Sequence, residues 1–193
     1  DVAWEYAHVA ALFNAIDKNI FYTNAVILRL RGDNVAYNKI LDNLLETDPL
    51  DHFALFEKYY SSKDHEALKT FKSRITNEFS YETYVELALW YSNAGLLKES
   101  LVVLENSVPH PVADYLAAWI ADQLNEAPKC DLYLQRALKA DDRLVYPFRE
   151  EYADILEWAD KKTPSWKTKY YAALFYWSKQ QNEKAAWYFD QCG

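Results

Sequence analysis

One pattern limits this chain more than any other. A residue inside a helical stretch is followed four positions later by a large apolar one, and the pair returns at near-regular intervals. The pairs are Tyr37 and Leu41, Ala67 and Phe71, Ser100 and Leu104, Cys130 and Leu134, and Ala185 and Phe189. Their first members are separated by 30, 33, 30 and 55 residues. A period in this range is the mark of one supersecondary unit repeated along the chain, each copy too small to bury its apolar face alone. An apolar helical stretch precedes each pair, most clearly at Tyr84, Leu87, Ala88 and Tyr91. It recurs as Leu116, Ala117 and Ile120, as Ala172, Ala173 and Tyr176, and more loosely around Leu28 and around Phe53, Phe56 and Tyr60. A small residue lets two helices approach closely while the large ones fill the space beside the contact. Tyr37 departs from this, being bulky where a small residue is expected. The last interval is longer by about one helix and its loop, so residues 143–162 are expected to hold an extra, unpaired helix starting near Pro147.

The periodicity within each stretch is helical. Val9, Leu12, Phe13 and Ile16 share one face, as do Leu97, Leu101 and Leu104. Sustained alternation of the strand type is not seen. With 3 glycines and 6 prolines the chain has little of the turn chemistry that hairpin strands need. Breaks at Gly32-Asp33, Asp48-Pro49, Ser61–Asp64, Asn93–Gly95, Pro109–Pro111, Asn125–Pro128, Thr163–Ser165 and Gln180–Asn182 punctuate it. They predict helices over 3–16, 19–31, 34–47, 50–60, 64–76, 81–93, 96–107, 112–125, 128–140, 147–161, 166–179 and 182–191. The expectation is an all-α chain, an α-α superhelix of about five helical hairpins plus the extra helix at 147–161, built as one domain over residues 1–193.

The stretch YVELALWYSNAGLLKES (84–100) resembles the tetratricopeptide repeat, a helix-turn-helix unit of about 34 residues. The first, fourth and last copies resemble it too, through Gly32-Asp33 with Asp48-Pro49, Cys130 with Leu134, and Ala185 with Phe189. DPLDHFALFE, LVYPFREE and PSWKTKYYAALFYWSKQQNEKA add a narrower likeness over residues 49–193. Together with the first stretch they look like the helical repeat region of certain bacterial proteins. In those proteins the repeats follow a β-rich domain of uncharacterised function, for which a sugar-related role is one reading. That resemblance implies a piece of a longer protein and transfers no catalytic residue. The absence of methionine, the unpartnered stretch 1–16 and the end at Gln191-Cys192-Gly193 without a polar cap lead to the same expectation.

Several chemistries are disfavoured by the residues themselves. The net charge is −8 and lysine and arginine do not cluster, so the electrostatic footprint of a nucleic-acid binder is missing. An acidic surface would also repel an anionic membrane, and no apolar run is long enough to cross one. Three glycines at 32, 95 and 193 cannot make a phosphate loop. His8, His52, His65 and His110 are too scattered for zinc spacing. Glu150-Glu151 and Asp141-Asp142 are adjacent pairs whose side chains point apart on a helix. His52 reads as a first-turn or packing residue, and Arg149 as a partner for Glu150, Glu151 or a carbonyl. Cys130 and Cys192 fall where the repeat wants a small buried residue. Two such cysteines do not make a disulfide framework, which slightly favours a reduced cytoplasm. No catalytic residue, metal or cofactor is expected.

The aromatic content remains: 16 tyrosines, 9 phenylalanines and 7 tryptophans. In arrays of the tetratricopeptide kind the first helices line a concave face that holds partner segments. Carried over by resemblance, that face takes Tyr22 and Arg29 from the first copy, and Glu82, Val85, Glu86 and Leu89 from the third. It takes Asp114, Tyr115 and Asp122 from the fourth, and Tyr170, Tyr171 and Trp177 from the last. It would be acidic in the middle and aromatic near the end. The opposing reading is that these side chains pack against the extra helix or a further domain. The function expected is a non-catalytic scaffold that contacts a protein or peptide partner, or another domain of the same chain, with no nucleic acid and no membrane insertion. The alternative is an accessory helical domain that packs on and completes a carbohydrate-active domain.

Overall fold

The computed structural model describes residues 17–192. The stretch expected to be helical at 3–16 lies outside them. Among the described residues there are eleven helices and no strand. They are α1 (Lys18–Arg31), α2 (Asn34–Thr47), α3 (His52–Ser62), α4 (His65–Ser73), α5 (Ser80–Asn93), α6 (Leu97–Glu105), α7 (Pro111–Gln123), α8 (Ala127–Lys139), α9 (Tyr152–Lys162), α10 (Trp166–Ser178) and α11 (Asn182–Asp190). The chain gathers into two compact units, one up to Thr76 and one from Asn77. Stacked helical hairpins of the α-α superhelix class build each of them.

The first unit holds the hairpins α1–α2 and α3–α4, with α2 packed on α3. All four helices start at an aspartate. Asp17, Asp33, Asp51 and Asp64 accept backbone N–H bonds from Asn19, Ala36, Ala54 and Ala67. Each such cap satisfies a donor the helix cannot, worth about 1 kcal/mol. Phe53, Phe56, Phe71, Leu41 and Ala25 fill the interior. Tyr37 is buried there, and its hydroxyl donates toward the Glu57 carboxylate (2.8 Å) and lies 2.9 Å from the Glu57 carbonyl. The bulky residue at the small position thus reaches into the next hairpin instead of merely clearing room.

The second unit begins with the hairpins α5–α6 and α7–α8. α7 packs on both helices of the hairpin before it. At the first crossing Ser100 is fully buried and its hydroxyl donates 2.6 Å to the Ala88 carbonyl. Close approach is what a small residue permits, and the hydroxyl adds a bond across it. Cys130 and Ala185 are buried at the equivalent places. α9 is the extra helix, and it packs on α7 and α10. The hairpin α10–α11 follows, with Tyr188 stacked on Tyr176 (centroids 5.5 Å apart, planes at 11°). Phe189, expected inside, is 38% exposed, because Tyr188 takes the interior position.

The extra helix starts at Tyr152 rather than near Pro147. Residues 145–148 are instead an extended strap, with Val145 and Pro147 buried and Tyr146 and Phe148 exposed. Proline drives the residue before it away from helical torsions, and the alternation buries every second side chain.

Five hairpin turns share one backbone device. Gly32, Lys63, Gly95, Asn125 and Gln180 all take left-handed torsions, with φ of 76, 56, 77, 59 and 59°. After four of them the next N–H reaches back five residues, from Asp33, Leu96, Glu126 and Gln181 to Leu28, Tyr91, Ala121 and Tyr176. This is the Schellman closure, which satisfies carbonyls stranded at a helix end. The Lys63 turn makes the simpler bond to Tyr59. The repeat is therefore visible in the backbone as well as in the core.

Candidate functional site

In the first unit Tyr22 and Arg29 are tied into the packing. The Tyr22 ring stacks on Phe53 (4.1 Å, 15°), and its hydroxyl donates 2.7 Å to Asp51. That carboxylate also pairs with Lys18 at 3.1 Å and caps α3 through Ala54. The Arg29 Nε lies 2.9 Å from the Glu57 carboxylate as an ion pair, and its guanidinium sits over Tyr60. Glu57 is fully buried, so Arg29 and Tyr37 together hold its charge inside the unit. Burial, then the Glu57 charge, pushes the Tyr37 phenol up. His52 opens α3 with its Nε2 3.4 Å from the Arg74 carbonyl, a packing position.

In the second unit the loop before α9 and α9 itself engage Glu82, Glu86 and Asp122, three of the positions expected to face a partner. Arg149 at the end of the strap meets Glu82 at 3.2 Å and Glu86 at 4.0 Å. Its partners are thus on α5, not the neighbouring Glu150 and Glu151. Asp122 accepts from the Trp158 indole (2.9 Å) and from Lys162 (2.6 Å), both on α9. The Lys162 bond holds the Asp122 carboxyl below the usual range. Tyr115 and Tyr171 were expected on an open face, and each is 1% exposed. Tyr115 on α7 and Tyr171 on α10 face each other in the interior of the unit. Their rings meet edge to face at 6.1 Å, and the Tyr115 hydroxyl bonds Thr168 at 2.9 Å. Tyr152, on α9, is buried beside them and donates to the Val112 carbonyl.

Asp114 is also buried, paired with Arg136 at 3.0 Å across the α7–α8 hairpin. Loss of water raises its carboxyl to about 6 although Arg136 opposes the change. A cavity of about 400 Å³ beside it is lined by His110, Gln135 and Lys139 among others. His110 stacks flat on Tyr81 at 3.4 Å, and burial lowers it to about 4, so the ring is neutral near pH 7. Its Nδ1 accepts from Val112, so the proton sits on Nε2. The Cys130 thiol lies 3.9 Å from Asp122, and burial raises it, the opposite of what a nucleophile needs. Among the described residues no three metal-ligating side chains come together, and no helix is long and apolar enough to cross a membrane.

What stays open is the aromatic end. Trp177 is 63% exposed and Tyr170 half-buried. Tyr170 is flanked by Trp166 (6.5 Å) and Phe189 (6.2 Å), and Leu144, in the turn before the strap, and the strap residue Tyr146 line a cavity beside it. Trp166, Leu144, Tyr146 and Phe189 were not singled out from the sequence. The signal for Trp166 was present: it shares a helical face with Tyr170 and Trp177 at spacings of 4 and 11.

No protein-family model matches the chain, and no curated protein matches it in sequence. Among solved structures, the crystal structure of MamA matches 87% of this chain and 91% of that one, at 17% identity and a TM-score of 0.30.

Proposed function

We propose that this chain is a non-catalytic scaffold that holds a protein partner through the aromatic edge of its last hairpin. The observation that carries this is the edge itself: Trp166, Tyr170 and Phe189 lie side by side on α10 and α11, with Trp166 half exposed and Phe189 over a third exposed. Tryptophan and tyrosine anchor partners well because each brings a large rigid area at little entropic cost. The acidic positions nearer the middle, Glu82, Asp114 and Asp122, already have internal partners. They serve the packing of the second unit, and the partner face moves to its end.

The test is site-directed photo-cross-linking in cells, with the photoreactive residue at Trp187, half exposed on α11. A discrete protein adduct is expected, and it should disappear when Trp166 and Phe189 are both replaced by serine. An adduct of equal yield in that variant, with helicity and melting unchanged, would reject the edge as the contact.

A further inference from the structure

Beside the aromatic edge is a cavity of about 670 Å³ lined by Asp141, Asp142, Arg143, Leu144, Val145, Tyr146 and Tyr170. Its polar groups divide into two sets. Asp141 and Arg143 satisfy each other: the guanidinium grips both carboxylate oxygens, and the Arg143 backbone N–H adds a fourth bond at 2.9 Å. Among the described residues the Asp142 carboxylate makes no hydrogen bond or ion pair, and the Tyr146 and Tyr170 hydroxyls make no hydrogen bond. The charge left over after that pairing and two aromatic rings therefore share an open recess. The recess is held in shape from both sides. Leu144 takes left-handed torsions (φ 59°), and Val145 and Pro147 anchor the strap by burial. Tyr170 is set on α10 between Trp166, Tyr171 and Phe189.

A carboxylate beside aromatic faces is the environment an organic cation prefers, since the ring quadrupole and the charge attract it together. The chain as a whole carries −8, so a basic partner is drawn to it and an acidic one repelled. We infer that the partner of the scaffold offers a basic side chain, lysine or arginine, flanked by apolar residues. The cation sits against Asp142 between Tyr146 and Tyr170, and the apolar neighbours rest on Leu144, Trp166 and Phe189. This rests on the scaffold reading and gives its partner a chemistry.

The experiment is an NMR titration of the whole chain with two probes, acetyl-Leu-Lys-Leu-amide and the same peptide with the lysine acetylated on its side chain. The lysine probe should shift the ring signals of Tyr146 and Tyr170 and bind about tenfold more tightly than its acetylated form, the worth of one cation against a carboxylate and two rings. Asp142→Asn should abolish that difference. Val35→Ala, at an exposed side chain of the first unit, should leave it intact. Equal binding of both probes, shifts confined to other rings, no shift at saturating probe, or preferential binding to phosphatidylcholine vesicles would overturn the assignment. If any of these occurs while the Trp187 cross-link persists, the scaffold stands and its partner is not basic. If the cross-link is lost as well, both readings fall.

Discussion

Single side chains in this protein carry charge into places where it must be balanced locally, and two of them give sharp tests. Glu57 is buried with Arg29 and Tyr37 as its partners. Tyr37→Phe keeps the ring and removes one donor, so it should destabilise the protein by about 1–3 kcal/mol, measured by urea unfolding. A change below about 0.3 kcal/mol, within the scatter of ordinary surface substitutions, would mean that the hydroxyl adds nothing to holding Glu57. Asp114 behaves in the opposite sense. Its carboxyl is raised to about 6 from an ordinary value near 3.8, because lost hydration outweighs the single Arg136 contact. The folded state therefore holds a proton that the unfolded state has released between those two values. The contribution of this residue to stability is greatest below about pH 4, falls as pH rises to about 6, and is constant above. Asp114→Asn removes the titration while Arg136, partly exposed, returns to water. The variant should match the wild type near pH 4 and exceed it at pH 7 by roughly 1–3 kcal/mol. An asparagine variant weaker at pH 7 would show that the ion pair outweighs the burial.

At the scale of helices and turns, much was readable from the residues alone because apolar spacing and the two internal glycines mark the hairpins directly. The limits were physical. Gly32 and Gly95 announce their left-handed turns, but Lys63 and Gln180 take the same torsions without any side-chain signal. Pro147 suits a helix start as Pro111 does, yet Pro147 and Val145 are buried in the strap and α9 begins only at Tyr152. Tyr115 and Tyr171 look the same in sequence whether they face a partner or an inserted helix. Only the 55-residue interval hinted at what covers them. Of the four aromatics expected on that face from α7 and α10, Tyr170 and Trp177 keep exposed surface while Tyr115 and Tyr171 do not. The turns give a paired prediction. No atom lies within 4 Å of a Cβ built on Gly95, so Gly95→Ala meets only the backbone cost of φ 77° and should destabilise by about 1 kcal/mol. Gln180→Gly removes that cost and should stabilise by about 0.5–1 kcal/mol, less the extra freedom glycine gains in the unfolded chain. Opposite signs in thermal melts are the expected result, and the same sign in both would mean that the two turns are not equivalent.

For the molecule as a whole, the segment between α8 and α9 is the longest helix-free connection among the described residues. It runs from Ala140 to Glu151 and joins the regular hairpins of the second unit to α9–α11. Two parts of it differ sharply in burial. Arg143 and Leu144 stand out in solvent, with the Arg143 side chain 85% exposed, while Val145 and Pro147 are buried. Trypsin should therefore cut first after Arg143, where a loop tip offers both the cleavage residue and accessible backbone. The cut ends should nevertheless stay together. α9 keeps Tyr152, Ile155 and Leu156 buried, and Asp122 on α7 still binds Trp158 and Lys162. Three such side chains stabilise the contact by roughly 1.5–3 kcal/mol each, more than one broken peptide bond releases in loop entropy. Limited proteolysis followed by size-exclusion chromatography and mass spectrometry checks both halves of the expectation. One early cut with co-eluting fragments fits a strap laid over an independently packed helix. Separation of the fragments at once would mean that the strap itself, rather than the buried face of α9, holds the end of the unit in place.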